Sequence, residues 1–298
     1  MIGDNMDRRQ FIAAAAAAPR AAARVQPAGH PKLCIFSKHM AQFDWKELGR
    51  KAKDLGFDGV DLTVRPKGHV LPERVKEDLP RAVDAIRASG LDVPMITTDL
   101  KSAANPAAAP TFEAARKLGI RLLKPGYWMY TKDRTVLQTQ AEVRQHFQGL
   151  LKLAMQNGVA LGLHNHSGAY VGTALWAYRD LLQDVDPKLA GYYFDPGHAT
   201  IEGGLYVWRI SLELAAPRLK MVAMKDAYWD KSNGRWRPKW VPLGEGMVDW
   251  PEFFRGFAKA GFNGPITLHV EYPVKDELEA IAHDLAFMKK QVAAAYGA

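Results

Sequence analysis

From Lys32 onward, apolar residues follow two alternating spacings. Short runs rich in β-branched and aromatic residues read LCIFS, GVDLTV, VPMITT, RLLKP, ALGLHNH, GYYFDPGH, KMVAMKD and PITLHVEY. Between them lie longer stretches with helical periodicity, among them WKELGRKAKDLG, ERVKEDLPRAVDAIRASG, VRQHFQGLLKLAMQNG and PEFFRGFAKAGF. Several of these stop at a glycine, which terminates helices by accepting a left-handed backbone. Asp44 and Asp249 stand where a carboxylate would accept the free N–H groups of a helix start. Eight strands, each followed by a helix, predict an α/β fold: a single closed, parallel (β/α)8 TIM barrel over residues 29–298. A doubly wound open sheet is the competing architecture, but no glycine-rich phosphate turn follows the first run. One longer loop, roughly 227–248, separates the seventh run from its helix.

Inside the runs the side chains alternate. Val60, Leu62 and Val64 would face the helices, and Asp61, Thr63 and Arg65 the barrel interior. In the last run Ile266, Leu268 and Val270 share one face, and Thr267, His269 and Glu271 the other. Barrels of this kind keep their chemistry at the C-terminal ends of the strands. The residues there are Lys38, His39, Arg65, Thr98, Asp99, Lys124, His164, His166, Asp195, His198, Lys225, Asp226, His269 and Glu271. Oxygen and nitrogen donors converging on one pocket suit Mn²⁺, Mg²⁺, Co²⁺ or Zn²⁺. Such an ion holds adjacent sugar oxygens and stabilises an enediolate. A neighbouring carboxylate or imidazole then moves the proton.

Each of these residues also has a purely structural reading. Pro196 and Gly197 make a turn whatever the function, Asp195 could cap it, and His198 could bond to Asp195. Glu271 ends an apolar run, where a carboxylate needs a partner because burying it alone is costly. Asn165 falls on the opposite face from His164 and His166 and would fix the loop.

Composition narrows the class. The formal charge is +8, and about +6 remains once the arginine-rich first 24 residues are set aside. That charge is spread along the chain, which is no nucleic-acid signature. No apolar run is long enough to span a bilayer. Cys34 is the sole cysteine, so no internal disulfide forms, and its LCIF context makes it a core residue. Residues 1–28 carry Arg8-Arg9, then Phe11, Ile12 and an alanine tract, with Ala21-Ala22-Ala23 as a small-residue cleavage site. This pattern resembles a twin-arginine export signal and predicts a periplasmic or secreted protein. An alanine-rich leader without export is the alternative.

Five pieces, HNHSG at 164–168, DPGHATIEGG at 195–204, KDAYW at 225–229, PLGEGMVDW at 242–250 and LHVEY at 268–272, carry a further resemblance. In order and strand placement the chain resembles the xylose-isomerase-like barrel superfamily: sugar phosphate isomerases and epimerases, inosose dehydratases and AP endonuclease family 2. The resemblance implies a divalent metal held by a Glu on strand five, an Asp on strand six, a His on strand seven and a Glu on strand eight. Asp195 and Glu271 match two of these positions, His164 stands at the strand-five Glu, and Ala223 stands at the strand-seven His. Three readings follow. The metal site is rebuilt from His164, Asp195, Glu271 and His198. Alternatively the metal is gone and Lys225 replaces its charge. In the third, a non-catalytic barrel only binds sugar.

The loop after the seventh run interleaves Trp229, Trp236 and Trp240 with Lys231, Arg235, Arg237 and Lys239. Tyr127, Trp128 and Tyr130 add aromatic surface near the fourth run. Tryptophan faces suit sugar rings and basic groups suit an acid or phosphate, although such a loop could also serve a homodimer. The expectation is an exported carbohydrate-active isomerase, epimerase or keto-sugar lyase or dehydratase with a small-molecule carbohydrate substrate and no nucleic-acid partner. Glu271, His166 and Lys225 would be catalytic. Lys38, His39, Arg65, Lys124, Asp226, Trp229, Glu245 and His269 would bind substrate.

Overall fold

The computed structural model describes residues 29–232 and 234–297. The leader over 1–28, with its twin-arginine motif, lies outside the described residues. Eight parallel strands close on themselves: β1 (Leu33–Phe36), β2 (Gly59–Val64), β3 (Asp92–Thr98), β4 (Leu122–Lys124), β5 (Ala160–His164), β6 (Ala190–Phe194), β7 (Leu219–Met224) and β10 (Ile266–Leu268). Around the barrel they run β1-β10-β7-β6-β5-β4-β3-β2. This is the single (β/α)8 barrel that the alternation predicts. The eighth barrel strand is shorter than its run. It ends at Leu268, so His269 and Glu271 lie on the departing segment, with His269 N–H still bonded to the Met224 carbonyl at 2.9 Å.

The helices are α1 (Trp45–Leu55), α2 (Val75–Arg87), α3 (Ala108–Lys117), α4 (Val136–Asn157), α5 (Trp176–Leu182), α6 (Pro196–Gly203), α7 (Val207–Ala215), α8 (Trp250–Lys259) and α9 (Glu277–Tyr296). Asp44 and Asp249 cap α1 and α8, accepting from Glu47 N at 2.8 Å and Glu252 N at 3.1 Å. Gly56 ends α1 with φ of +93°, a conformation that strains any residue with a Cβ. Outward side chains such as Leu62, Ile96, Leu161, Val222 and Leu268 are fully buried against helix residues including Leu79, Phe112, Leu150 and Phe253.

The barrel interior is a second, smaller core. Met95, Tyr193, Met221 and Ala223 fill it and form the floor beneath the open mouth. Gly162 leaves the room that Met221 takes: a Cβ there would meet the Met221 Cε at 1.9 Å. Level with Met95 across β2 and β3 lies Asp61, fully buried, accepting from Thr97 Oγ1 at 2.8 Å and Tyr193 OH at 3.1 Å. The inward face expected for Asp61 and Thr63 is the observed one.

The loop expected at 227–248 is largely a β-hairpin. β8 (Asp226–Ser232) pairs antiparallel with β9 (Arg235–Val241), from Asp226 opposite Val241 to Ser232 opposite Arg235. Pro238 fits because a two-stranded ribbon leaves one side of each strand unpaired. Cys34 is buried, as its apolar context predicts. Among the described residues no helix is long and apolar enough to cross a membrane.

Candidate active site

Every barrel strand end, together with Trp240 of the hairpin, contributes to one cavity of about 280 Å³ at the C-terminal mouth. Its centre is an ion-pair network. Lys225 follows β7 with its side chain inward, and Nζ lies 3.3 Å from Asp195 Oδ2 and 3.1 Å from His198 Nε2. Asp195 follows β6 and is fully buried. Its Oδ1 accepts from His198 N at 2.9 Å and so caps α6, while its Oδ2 meets Lys225 Nζ at 3.3 Å and His164 Nε2 at 3.1 Å. Asp195 thus caps α6 with one oxygen and anchors Lys225 and His164 of the cavity wall with the other.

Hydrogen-bond chains fix the histidine tautomers. Lys225 can only donate, so His198 Nε2 accepts and its Nδ1–H donates to Ser167 Oγ at 2.8 Å. His164 Nε2–H donates to Asp195 Oδ2 at 3.1 Å, which leaves Nδ1 to accept from Tyr127 OH at 2.7 Å. Burial first, then the Lys225 charge, holds both imidazoles well below the ordinary pKa. His166 donates Nδ1–H to the Ser167 carbonyl at 2.9 Å, leaving Nε2 as an acceptor in the cavity. Asn165 faces away, as expected, and exchanges two hydrogen bonds with the Asp195 backbone at 2.8 and 3.0 Å.

Glu271 receives Lys38 Nζ at 3.0 and 3.1 Å. Burial opposes its charge, but Lys225 and Lys38 outweigh that and hold its pKa below the usual carboxylate value. His269 stacks on Phe36 at 4.6 Å and contacts Tyr193 OH through Nε2 at 3.1 Å. Lys38, Arg65, Lys124 and His269 all line the cavity.

Four expected substrate contacts lie elsewhere. Asp226 turns away from the mouth and accepts from Ala227 N, Gly244 N, Val248 N and Trp250 Nε1 at 2.8 to 3.3 Å, a structural clamp with no oxygen left for a ligand. Trp229 donates its indole N–H to the Ile201 carbonyl at 3.3 Å, on the outside of the hairpin over α6. Glu245 is exposed on the loop that follows β9. His39 is buried beside Phe36, with ring centroids 5.7 Å apart, and forms no part of the cavity wall. Tyr193, Thr97 and Trp240, which the sequence reading did not single out as site residues, do form the wall.

The expected metal set does not fit. Among the described residues no three His, Cys, Asp or Glu side chains gather as a ligand group. Lys225 puts an ammonium between Asp195 and His198, the place a cation would take. His164 Nε2 is committed to Asp195, Glu271 to Lys38, and Ala223 is buried in the plug. A divalent ion there would face Lys225 at contact distance, so the rebuilt site of His164, Asp195, Glu271 and His198 gives way to the lysine-centred reading.

These buried imidazoles are expected to make the fold acid-sensitive. His39, His69, His164, His166, His198 and His269 all have lowered pKa values, burial being the first cause of each. Below the ordinary value of 6.5 the unfolded chain binds protons that the folded chain refuses, so stability falls with pH; for His39 the window runs from 6.5 down to about 4. Asp61, raised from 3.8 to about 7 by burial, acts in the opposite sense across that interval; Asp226, Glu277 and Asp284, raised by burial as well, act in the same direction as Asp61 above their ordinary values. Six lowered imidazoles oppose four raised carboxylates. The urea midpoint is therefore expected to drop between about pH 7 and about pH 5. A midpoint that holds or rises would mean the carboxylates dominate.

Comparison with known proteins agrees with this fold. An inosose dehydratase from Bacillus velezensis is 30% identical over 139 residues, a stretch covering 43% of this chain and 45% of that protein. The chain thus aligns with less than half the length of this curated relative. The structure of a 3-keto-D-glucoside 4-epimerase from E. coli superposes with a TM-score of 0.70 at 16% identity, covering 87% of this chain and 99% of that one. A barrel from Mycobacterium smegmatis, solved in complex with magnesium, superposes at 0.63 with 17% identity, covering 85% of this chain and 89% of that one. At these identities the two structures speak for the fold alone. The family model described as xylose isomerase-like TIM barrel matches residues 50–291, most of the barrel, and the chain belongs to that family.

Proposed function

We propose that this barrel catalyses proton transfer at the carbon next to a carbonyl of a keto-sugar or cyclic polyol ketone, leading to epimerisation or loss of water, with Lys225 in the role a metal would otherwise fill. The observation that carries this reading is the position of Lys225. An ammonium has three donors. Asp195 and His198 take two of them, which leaves one for a substrate oxygen. As a proton leaves the neighbouring carbon, charge builds on the carbonyl oxygen, and a fixed, buried cation stabilises that enolate.

Two acceptors flank Lys225 around the rim. His166 follows β5 and offers Nε2; Glu271 follows β10 and offers a carboxylate held ionised by Lys225 and Lys38. One removes the proton. If the other returns it to the opposite face, the carbon is inverted. If a hydroxyl on the next carbon leaves instead, taking a proton from the second group, the product is an unsaturated ketone and water. The named relatives, a dehydratase and a keto-glucoside epimerase, span these two outcomes. Export through the twin-arginine motif would place the reaction in the periplasm or outside the cell.

The test is exchange. A panel of 3-keto-glucosides, ketohexoses and inososes is incubated with the protein in D₂O and followed by NMR. Deuterium is expected at the carbon beside the carbonyl, with the rate unchanged by EDTA and by added Mn²⁺ or Co²⁺. A rate that disappears with EDTA and returns with a metal sinks the lysine-centred mechanism. No exchange on any ketone, with ligand still binding, favours a non-catalytic sugar-binding barrel.

A further inference from the structure

The cavity wall carries more positive than negative charge, and the excess is localised. Lys38 is paired with Glu271 at 3.0 Å and Lys225 with Asp195 at 3.3 Å. The two remaining cations of the wall, Arg65 and Lys124, form no ion pair within 4.0 Å among the described residues. Lys124 is only 3% exposed. Its Nζ lies 3.4 Å from the centroid of the Tyr127 ring, an arrangement that helps to hold an ammonium but does not neutralise it. Arg65 lies over Phe36 at 5.3 Å. Leaving an ammonium buried without an anion is costly.

The nearby carboxylates do not fill that role. Asp61 spends its two oxygens on Thr97 and Tyr193. Asp99 attracts Lys124 only from beyond ion-pair distance, and less strongly than Asp61 does. The register puts these groups side by side. Thr97 of β3 pairs with Lys124 of β4 and with Thr63 of β2, and Arg65 follows β2 by one residue. In the barrel order β3 lies four strands from β7 in either direction. The unpaired cations therefore face Lys225 from across the mouth.

We propose that Arg65 and Lys124 form an anion subsite, so that the substrate is an acidic keto-sugar or cyclic ketone carrying a carboxylate or phosphate on the side remote from its reacting carbonyl. The placement of the carbonyl rests on the proposed proton transfer; the subsite itself does not. Arg65 offers the planar fork that matches either oxyanion, and Lys124 offers a point charge in a desolvated wall. The wall itself disfavours the charge of Lys124. Burial, then the Arg65 charge and, less strongly, that of Lys225, push its pKa down to about 7, against the pull of Asp61 and Asp99. An anion beside it reverses that shift, so binding above pH 7 draws a proton onto Lys124.

The experiment is titration calorimetry of the full chain with D-glucuronate, inorganic phosphate and glucose, in two buffers of different ionisation enthalpy at about pH 8. One of the two anions is expected to bind about tenfold or more tightly than glucose, with proton uptake. The tighter of them tells whether the substrate carries a carboxylate or a phosphate. Lys124→Met is expected to lose about tenfold or more in anion affinity and to lose the proton uptake. Arg65→Gln, at a half-exposed position outside the core, provides the same affinity test should Lys124→Met fail to fold. The subsite is overturned if neither anion binds, if glucose binds as well, or if both variants bind like the parent. Anion binding with no deuterium exchange on any ketone would leave the subsite standing and remove the proton-transfer reading.

Discussion

Lys225→Met is expected to reduce deuterium exchange and turnover by about 10²- to 10³-fold or more, the usual effect of removing a fixed donor from a developing oxyanion. Methionine has nearly the length of lysine and no charge. The complication is Asp195, which is fully buried and loses the cation 3.3 Å from its Oδ2. Breaking a buried pair by removing one partner costs about 3–5 kcal/mol, so the single variant is also expected to be less stable. The double variant Lys225→Met/Asp195→Asn separates the two effects. Asparagine keeps an oxygen for the His198 N–H that Asp195 now caps at 2.9 Å, and no buried charge remains. Urea unfolding is expected to recover in the double variant while exchange stays lost. If exchange recovers with stability, Lys225 only balances Asp195 and is not the electrophile.

Much of the barrel is legible because its alternation is strict. Asp61 and Thr63 point inward and Leu62 and Val64 outward, as period two requires. Tyr193 could have been found by the same count, two residues before the inward Asp195. Asp226 could have been excluded by it, since Ala223 and Lys225 take the inward parity of β7. Other features leave no local trace. That Trp240 of the hairpin reaches the mouth is one: RWRPKWV alternates basic and aromatic residues, but Pro238 in its middle reads as a loop. Lys38 meets Glu271 across 233 residues only because β1 closes the barrel on β10. The expected ligand set does not gather, for a similar reason. The ligand types are present at the right strand ends, but a lysine four carbons long reaches between Asp195 and His198, and side-chain reach is not a periodicity.

Asp226→Ala is expected to cost the fold about 3 kcal/mol or more without touching a group that contacts substrate. The carboxylate gathers three backbone N–H groups, from Ala227, Gly244 and Val248, and the indole N–H of Trp250, all at 2.8 to 3.3 Å. Alanine leaves several of these donors buried without acceptors, each worth about 1–3 kcal/mol. The lost bonds also tie the return of the hairpin to the start of α8. Trp240, one residue before the end of β9, packs edge-on against His198 with centroids 4.9 Å apart and holds that part of the wall. The variant is therefore expected to show a lower urea midpoint together with a raised KM and a nearly unchanged kcat, because Lys225, His166 and Glu271 stay on the barrel. Gly246→Ala supplies an independent check. Its Cβ would lie 2.0 Å from Asp226 Oδ1, so it must displace the same carboxylate from the other side and is expected to reproduce the pattern. An Asp226→Ala variant within about 1 kcal/mol of the parent would show that the loop finds other acceptors, and a selective fall in kcat would return Asp226 to the reaction itself.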